Sequence, residues 1–282
     1  MQQTTATTSE KQNEIAQRLL KSIFGKPLSK KEIRIEKISS VEEHLEAHKI
    51  INRHHAKKGW EPSSNANGRI YAPLSVDPRN LLLVAKRKNQ IIGSVSITYN
   101  SPEFGLPIER TFEETNQFNL EQACEFGDLA IDPEIGRRFN GNVSGLLMQA
   151  AFAEANRKKR SYVLAEISPG QFNFYTTAMA FYQIGEERGR ADSPDDKVIP
   201  IIMNLKDLRS KLKKEAPPVY QHWYKKNPFF ENPHTSKPGI EGDTKKLLTF
   251  KDGTPRFNPA TTQTLLQLWQ QYRQKPPTPE YL

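Results

Sequence analysis

The chain has 282 residues, with 41 Lys and Arg against 32 Asp and Glu, a formal net charge of +9, and 36% hydrophobic residues. That length suffices for one large domain or a domain with an extension, and no apolar run reaches the length of a membrane span. The positive balance suits an acidic partner, whether nucleic acid, a membrane surface, a phosphate-bearing cofactor or an acidic carrier protein, and by itself chooses none of them.

In chain order, residues 1–8 are expected to lack order. Over 9–24, Ile15, Leu19, Leu20 and Ile23 recur at helical spacing, which predicts a docking helix. Ile33 and Ile35 alternate with Arg34 and Glu36, which predicts a strand over 32–38. A helix follows over 40–58, opened by Ser40 with Glu43 at capping-box spacing. On that helix His44 and His48 stand four apart. Neither a third ligand at zinc-like spacing nor an intervening Glu accompanies them, so they are read as a partly exposed polar face and no metal is expected.

Residues 59–80 read as loop. LLLVA at 81–85 and the two-faced stretch 91–99 make an antiparallel hairpin. Residues 100–121 form a long insertion, expected to be a lid or a short helix around Phe112. A third strand carries Glu125 and runs through Leu129 to Asp132-Pro133, where a basic glycine-containing turn leads to a helix beginning near Ser144. Strand, anion-binding turn and helix N-terminus together form a device for holding an acidic carrier beside a strand edge.

The helix ends in the basic run Arg157–Arg160. A strand at 162–167, a short helix over 171–179 and closing strands at 181–187 and 198–205 follow, and Pro200 predicts an edge or an irregular start for the last. Beyond Leu208 the chain is rich in proline. One helix is predicted there, with Asn258 as N-cap, Pro259 at its first position, and Leu265, Leu268, Trp269 and Tyr272 on one face. The division is therefore a tail and docking helix at 1–27, a core at 28–208, and an irregular, partly helical extension at 209–282 that wraps the core. The single cysteine, Cys124, allows no internal disulfide, and MQQTTATTSEKQNE lacks an apolar secretory segment, so a cytoplasmic location is expected.

The order β-α-β-β-β-α-β-α-β-β resembles the GNAT acyltransferase superfamily. Its turn pattern R/Q-x-x-G-x-G/A is approached by Arg138-Phe139-Asn140-Gly141-Asn142-Val143, with Val143 departing where Gly or Ala is usual. The stretches EAHKIINRHHAKKGW at 46–60, SPEFGLP at 101–107, CEFGDLAIDP at 124–133 and NFYTTAMAFYQIGEER at 173–188 are similar to one branch, the FeeM-type N-acyl amino acid synthases, relatives of the acyl-homoserine-lactone synthases. The resemblance spans about residues 32–205.

It implies an α/β fold, with a mostly antiparallel mixed sheet flanked by helices and a gap between the strand of Glu125 and the strand at 162–167. It also implies transfer of a fatty acyl group from a pantetheine thioester to the amine of an amino acid. The donor is a cosubstrate, an acyl carrier protein in preference to acyl-CoA, because such carriers are acidic and Val143 departs from the pyrophosphate pattern. Glu125 then matches the general base, with a pKa raised by burial.

The Leu129 main-chain N–H matches the oxyanion donor, and Tyr175, with Tyr182 as alternative, the donor to the leaving thiolate. Ile131, Arg137, Arg138, Gly141, Asn142 and Val143 form the carrier site. Arg69 and Tyr99 are the acceptor candidates, Arg being a good bidentate partner for a carboxylate. Asp128 is expected on the strand face opposite Glu125 and Leu129. Three alternatives stay open: an acetyl-CoA-dependent N-acetyltransferase, a homoserine-lactone synthase, and a non-catalytic acyl-carrier-binding regulatory module. No pattern supports a nucleic-acid binder.

Overall fold

The computed structural model describes residues 8–24, 33–57, 72–136, 142–191, 193–231, 240–250 and 252–274. Eight strands form one mixed sheet in the order β1-β2-β3-β4-β5-β8-β6, with β7 pairing on β8. They are β1 (Arg34–Lys37), β2 (Leu81–Arg87), β3 (Gln90–Tyr99), β4 (Ala123–Ile131), β5 (Tyr162–Ile167), β6 (Tyr182–Gln183), β7 (Arg188–Gly189) and β8 (Lys197–Asn204). Every pairing is antiparallel except β4 with β5.

That exception positions the site. The parallel pairing covers only Ala123–Glu125 against Tyr162–Leu164, and beyond Glu125 no register joins the two strands. The expected gap is present, opening at Glu125.

Two layers cover the sheet. On one face lie helices α1 (Thr8–Phe24), α3 (Asn142–Arg157) and α4 (Phe172–Ala178), with the first part of the extension, including α5 (Leu208–Glu215). Alternate strand residues such as Leu83, Val95, Ile97, Cys124, Val163 and Ile201 point into this layer. On the other face lie α2 (Val41–Lys57), the 100–122 segment and helix α6 (Pro259–Gln274).

Helix α1 turns Ala16 and Leu20 inward and leaves Ile15 47% exposed. The expected stripe is rotated, because the small Ala16 allows the closer approach. Helix α2 begins as predicted, but its cap is shared: the Glu43 N–H donates to Ser40 Oγ at 3.1 Å, while the Glu43 carboxylate accepts from the Ser39 N–H at 2.8 Å.

One expectation is resolved and another corrected. The 100–121 insertion is not a lid, and the short helix expected around Phe112 is present as the 3₁₀ turn Glu113–Gln117 with Phe112 as its N-cap. The insertion folds as 3₁₀ turns at Pro107–Arg110, Glu113–Gln117 and Leu120–Gln122 that bury Leu106, Ile108 and Phe112 against β5 and β8. Strand β8 is interior, with β5 on one side and β6 and β7 on the other. Its Pro200 is tolerated because the β6 ladder ends at Ile201 and the β7 ladder begins at Val198, leaving the proline between them.

The extension straps both faces. Trp223 and Tyr224 pack on Phe152 of α3 at 5.6 and 5.2 Å between ring centroids, and the Trp223 indole donates to the Ala178 carbonyl at 2.7 Å. Further on, Glu241 clasps the start of α2: the Val41 N–H donates to its carbonyl at 2.9 Å, and its own N–H donates to the Ser39 carbonyl at 2.8 Å. Helix α6 starts at Asn258, whose side chain accepts from the Thr261 N–H at 2.9 Å, and buries Leu265, Leu268 and Trp269.

Candidate active site

A cavity of about 230 Å³ occupies the gap between β4 and β5. It has two lobes. The lobe on the α3 face is lined by Val95, Met148, Ala165, Ile167, Tyr175 and Met179, all members of the apolar core or packed against it. The lobe on the α2 face is lined by His44, His48, Leu74, Asp128, Ile240 and Trp269. Glu125, Glu166 and Ser96 line it as well.

Glu125 is 6% exposed, and one of its oxygens accepts the Ile108 N–H at 2.8 Å. Burial pushes its pKa well above the usual carboxylate range, and the neighbouring Glu166 pushes it further. Glu166, on β5, lies 3.4 Å from the Arg190 guanidinium. A buried carboxylate of raised pKa, beside a second one paired with an arginine, is an arrangement suited to proton abstraction.

A bulge sets the geometry of β4. Ser94 pairs with Ala130 and Ser96 with Gly127, so Val95 faces two residues, Asp128 and Leu129, neither of which has a register partner. Asp128 takes a φ of +48°, a left-handed conformation that Asp adopts more readily than most residues. The surplus residue reverses the alternation. Leu129 packs toward α3, Ala130 packs toward α2, and the Asp128 charge acts on both Glu125 and His44. The expected facing of Asp128 is therefore corrected: the bulge turns it to the Glu125 side.

The histidine reading is corrected as well. His44 and His48 are 4% and 2% exposed, with their Nε2 atoms 3.0 Å apart. Burial and the neighbouring His48 hold the His44 pKa well below the ordinary histidine value, so it is neutral at pH 7. Among the described residues no group of three or more His, Cys, Asp or Glu could hold a metal.

The other predicted residues divide. Tyr175 lines the apolar lobe, and burial raises its hydroxyl pKa to about 12. Tyr182 sits on β6, 45% exposed and outside the cavity lining. Tyr99 is not brought to the cavity. Its ring packs on the α3 side under the Arg160 guanidinium, 5.1 Å from the centroid.

Ile131 ends β4 opposite Gly93 and packs into the α3-side core. Val143 is 2% exposed and points into that same core, so its side chain does not obstruct a phosphate at the helix mouth. Arg69, Arg137, Arg138 and Gly141 lie outside the described residues, as does the side chain of Asn142.

The basic run at 157–160 does not extend that mouth. It lies at the far end of the 16-residue α3, about 24 Å away. There Arg157 contacts Glu154 and the Phe229 carbonyl. Cys124 is fully buried and its thiol is pushed up to about 12, so it is no nucleophile.

Parted parallel strands inside a mostly antiparallel sheet make a GNAT-type fold, and the family that the sequence matches makes the chain an acyltransferase. A family model narrows this further. Residues 46–200 match the N-acyl amino acid synthase FeeM, and the chain belongs to that family.

Among solved structures, the FeeM N-acyl amino acid synthase from uncultured soil microbes superposes with a TM-score of 0.56 at 17% identity, over 67% of this chain and 97% of that one. A CoA-dependent acyl-homoserine lactone synthase, BjaI, gives 0.48 at 12% identity, over 83% and 99%. No curated protein matches the chain. No described helix is long and apolar enough to cross a membrane.

Proposed function

We propose that this N-acyltransferase moves a fatty acyl group from a pantetheine thioester to the amine of an amino acid, with an acyl carrier protein as donor. One observation carries the reading: the fork of β4 and β5 joins an apolar lobe to a polar one at Glu125. The fatty chain occupies the apolar lobe and the amine the polar one. Glu125 takes a proton from the ammonium, and the freed amine attacks the thioester carbon.

The bulge leaves the Leu129 N–H off the strand register, where it can meet the oxyanion. As the carbon–sulfur bond breaks, Tyr175 donates a hydrogen bond to the sulfur. With its pKa near 12 it stays protonated and holds the leaving thiolate without fully surrendering its proton. The thiolate takes up the second proton that the attacking nitrogen sheds and Glu125 returns its proton to solvent, so the products are an N-acyl amino acid and a free pantetheine thiol. The residues proposed to bind the carrier are Ile131, Arg137, Arg138, Gly141, Asn142 and Val143, and Arg69 is the one proposed to bind the acceptor.

The net charge of +9 supports an acidic carrier. The experiment compares acyl-carrier-protein and acyl-CoA donors of equal chain length, with amino acids as acceptors and mass spectrometric detection of product, at low and moderate salt. Transfer from the carrier protein that weakens with salt and in Arg137→Glu/Arg138→Glu is expected. Equal or better use of acyl-CoA, unaffected by either, overturns the carrier assignment. No N-acyl amino acid from either donor overturns the whole reading.

A further inference from the structure

We infer that the C-terminal extension, which lies outside the family-matched region, completes the acceptor pocket and determines which amines fit it. This rests on the acyltransferase reading above and adds to it a wall that the family core does not contain.

The wall is built by two anchored residues. Ile240 is fixed by its neighbour Glu241, whose main chain bonds to Ser39 and Val41 at the start of α2. That clasp packs Ile240 against the apolar clusters that contain Val41, Ala47 and Ile50 of α2, and Ile240 joins His44 in the cavity lining. Trp269 is 2% exposed, and its indole N–H donates to the Val76 carbonyl at 2.9 Å. The ring is thereby fixed against Val76, and Ile240 and Trp269 both line the cavity.

The polarity of the lobes decides which substrate meets this wall. A fatty chain belongs in the α3-side lobe, where Val95, Met148 and Ile167 offer it apolar surface. Placing it against His44, His48 and Asp128 would strip water from three polar groups with nothing in return. An ammonium suits the α2-side lobe, because Asp128 and Glu125 converge there. Its substituent then reaches Leu74, Ile240 and Trp269, which select an amino compound with a compact apolar side chain.

The test uses Ile240→Ala and Ile240→Phe, at a half-buried position where both side chains can be accommodated, with Trp269→Leu as a third variant. Free amino acids graded in size from glycine to tryptophan are assayed for kcat/KM at constant donor and, separately, for calorimetric binding without donor. Ile240→Phe is expected to shift preference toward small acceptors, and Ile240→Ala toward large ones, by about tenfold, the size of one lost or gained pocket contact. The donor chain-length profile should not move.

An unchanged acceptor ranking in folded Ile240 variants overturns the inference, as does a shift in donor chain length instead. If the wild type acylates no amino acid, the acyltransferase reading fails on its own. The calorimetric ranking then decides the pocket separately, and a ranking unmoved by the Ile240 variants, or no binding at all, overturns it.

Discussion

At the scale of single residues, Glu125 is the proposed base, and its burial links the same carboxyl to stability. Replacing it by Gln preserves shape and keeps an acceptor for the Ile108 N–H, but removes the base. Turnover should fall roughly 10²- to 10⁴-fold, and the acid limb of the kcat/KM profile should disappear. Intact activity would make Glu125 structural.

The same substitution changes stability with a definite sign. The folded pKa of Glu125 lies above its unfolded value of about 4.3. Below that value both states are protonated. As pH rises through the window up to the folded value, the unfolded state loses its proton first, so the wild type loses stability. Thermal melts should show Glu125→Gln equal to wild type near pH 4 and progressively more stable toward neutrality. The sequence exposed Glu125 by its place on a strand before a glycine turn. Glu166 and Arg190 gave no such signal, because an alternating strand residue and a loop arginine look the same whether or not they meet a partner. His44 and His48 were underrated because helical spacing shows that two side chains share a face and not which way that face points.

At the scale of elements, β4 is the informative case. Its alternation was readable from Cys124 to Gly127 and misread beyond, since a bulge is a surplus residue that exists only relative to the partner strand. The bulge also brings β3 and β4 close together. A Cβ at Gly93 would lie 2.8 Å from Ile131 Cδ1 and 2.9 Å from the Ala130 carbonyl oxygen. The oxygen belongs to the backbone and cannot move aside alone, so Gly93→Ala should cost roughly 1–3 kcal/mol. Urea titration reads that cost. An undiminished midpoint would mean that the two strands separate more easily than this packing implies. The hairpin and α6 were legible because periodicity and capping are local, whereas the strand expected over 181–187 is only the two-residue β6 at Tyr182–Gln183. The failure at Pro200 was one of context, since a proline shows the lack of a donor without showing where a neighbouring ladder stops.

At the scale of the whole molecule, distant segments are tied by few polar contacts. Lys37 on β1 meets Glu154 on α3 at 3.4 Å, and both side chains are buried. Glu154→Ala would strand the lysine charge, for about 3–5 kcal/mol of destabilisation in denaturant melts, the usual cost of removing one buried partner. Substitution of both residues by apolar groups should recover most of that loss. The extension was legible only as proline-rich chain with one capped helix. That it reaches both faces could not be read, because contacts such as Trp269 to Val76 join residues 193 positions apart. Those contacts also give the site a history during synthesis. The strands bearing Glu125 and Glu166 leave the ribosome roughly 5–20 seconds before Trp269 is translated. Over that interval the nascent chain carries its buried acid beside a half-open lobe, with Val41, Leu74 and Val76 lacking their final cover. Slow translation of the last segment, or a premature stop within it, would prolong exactly the state most attractive to a chaperone.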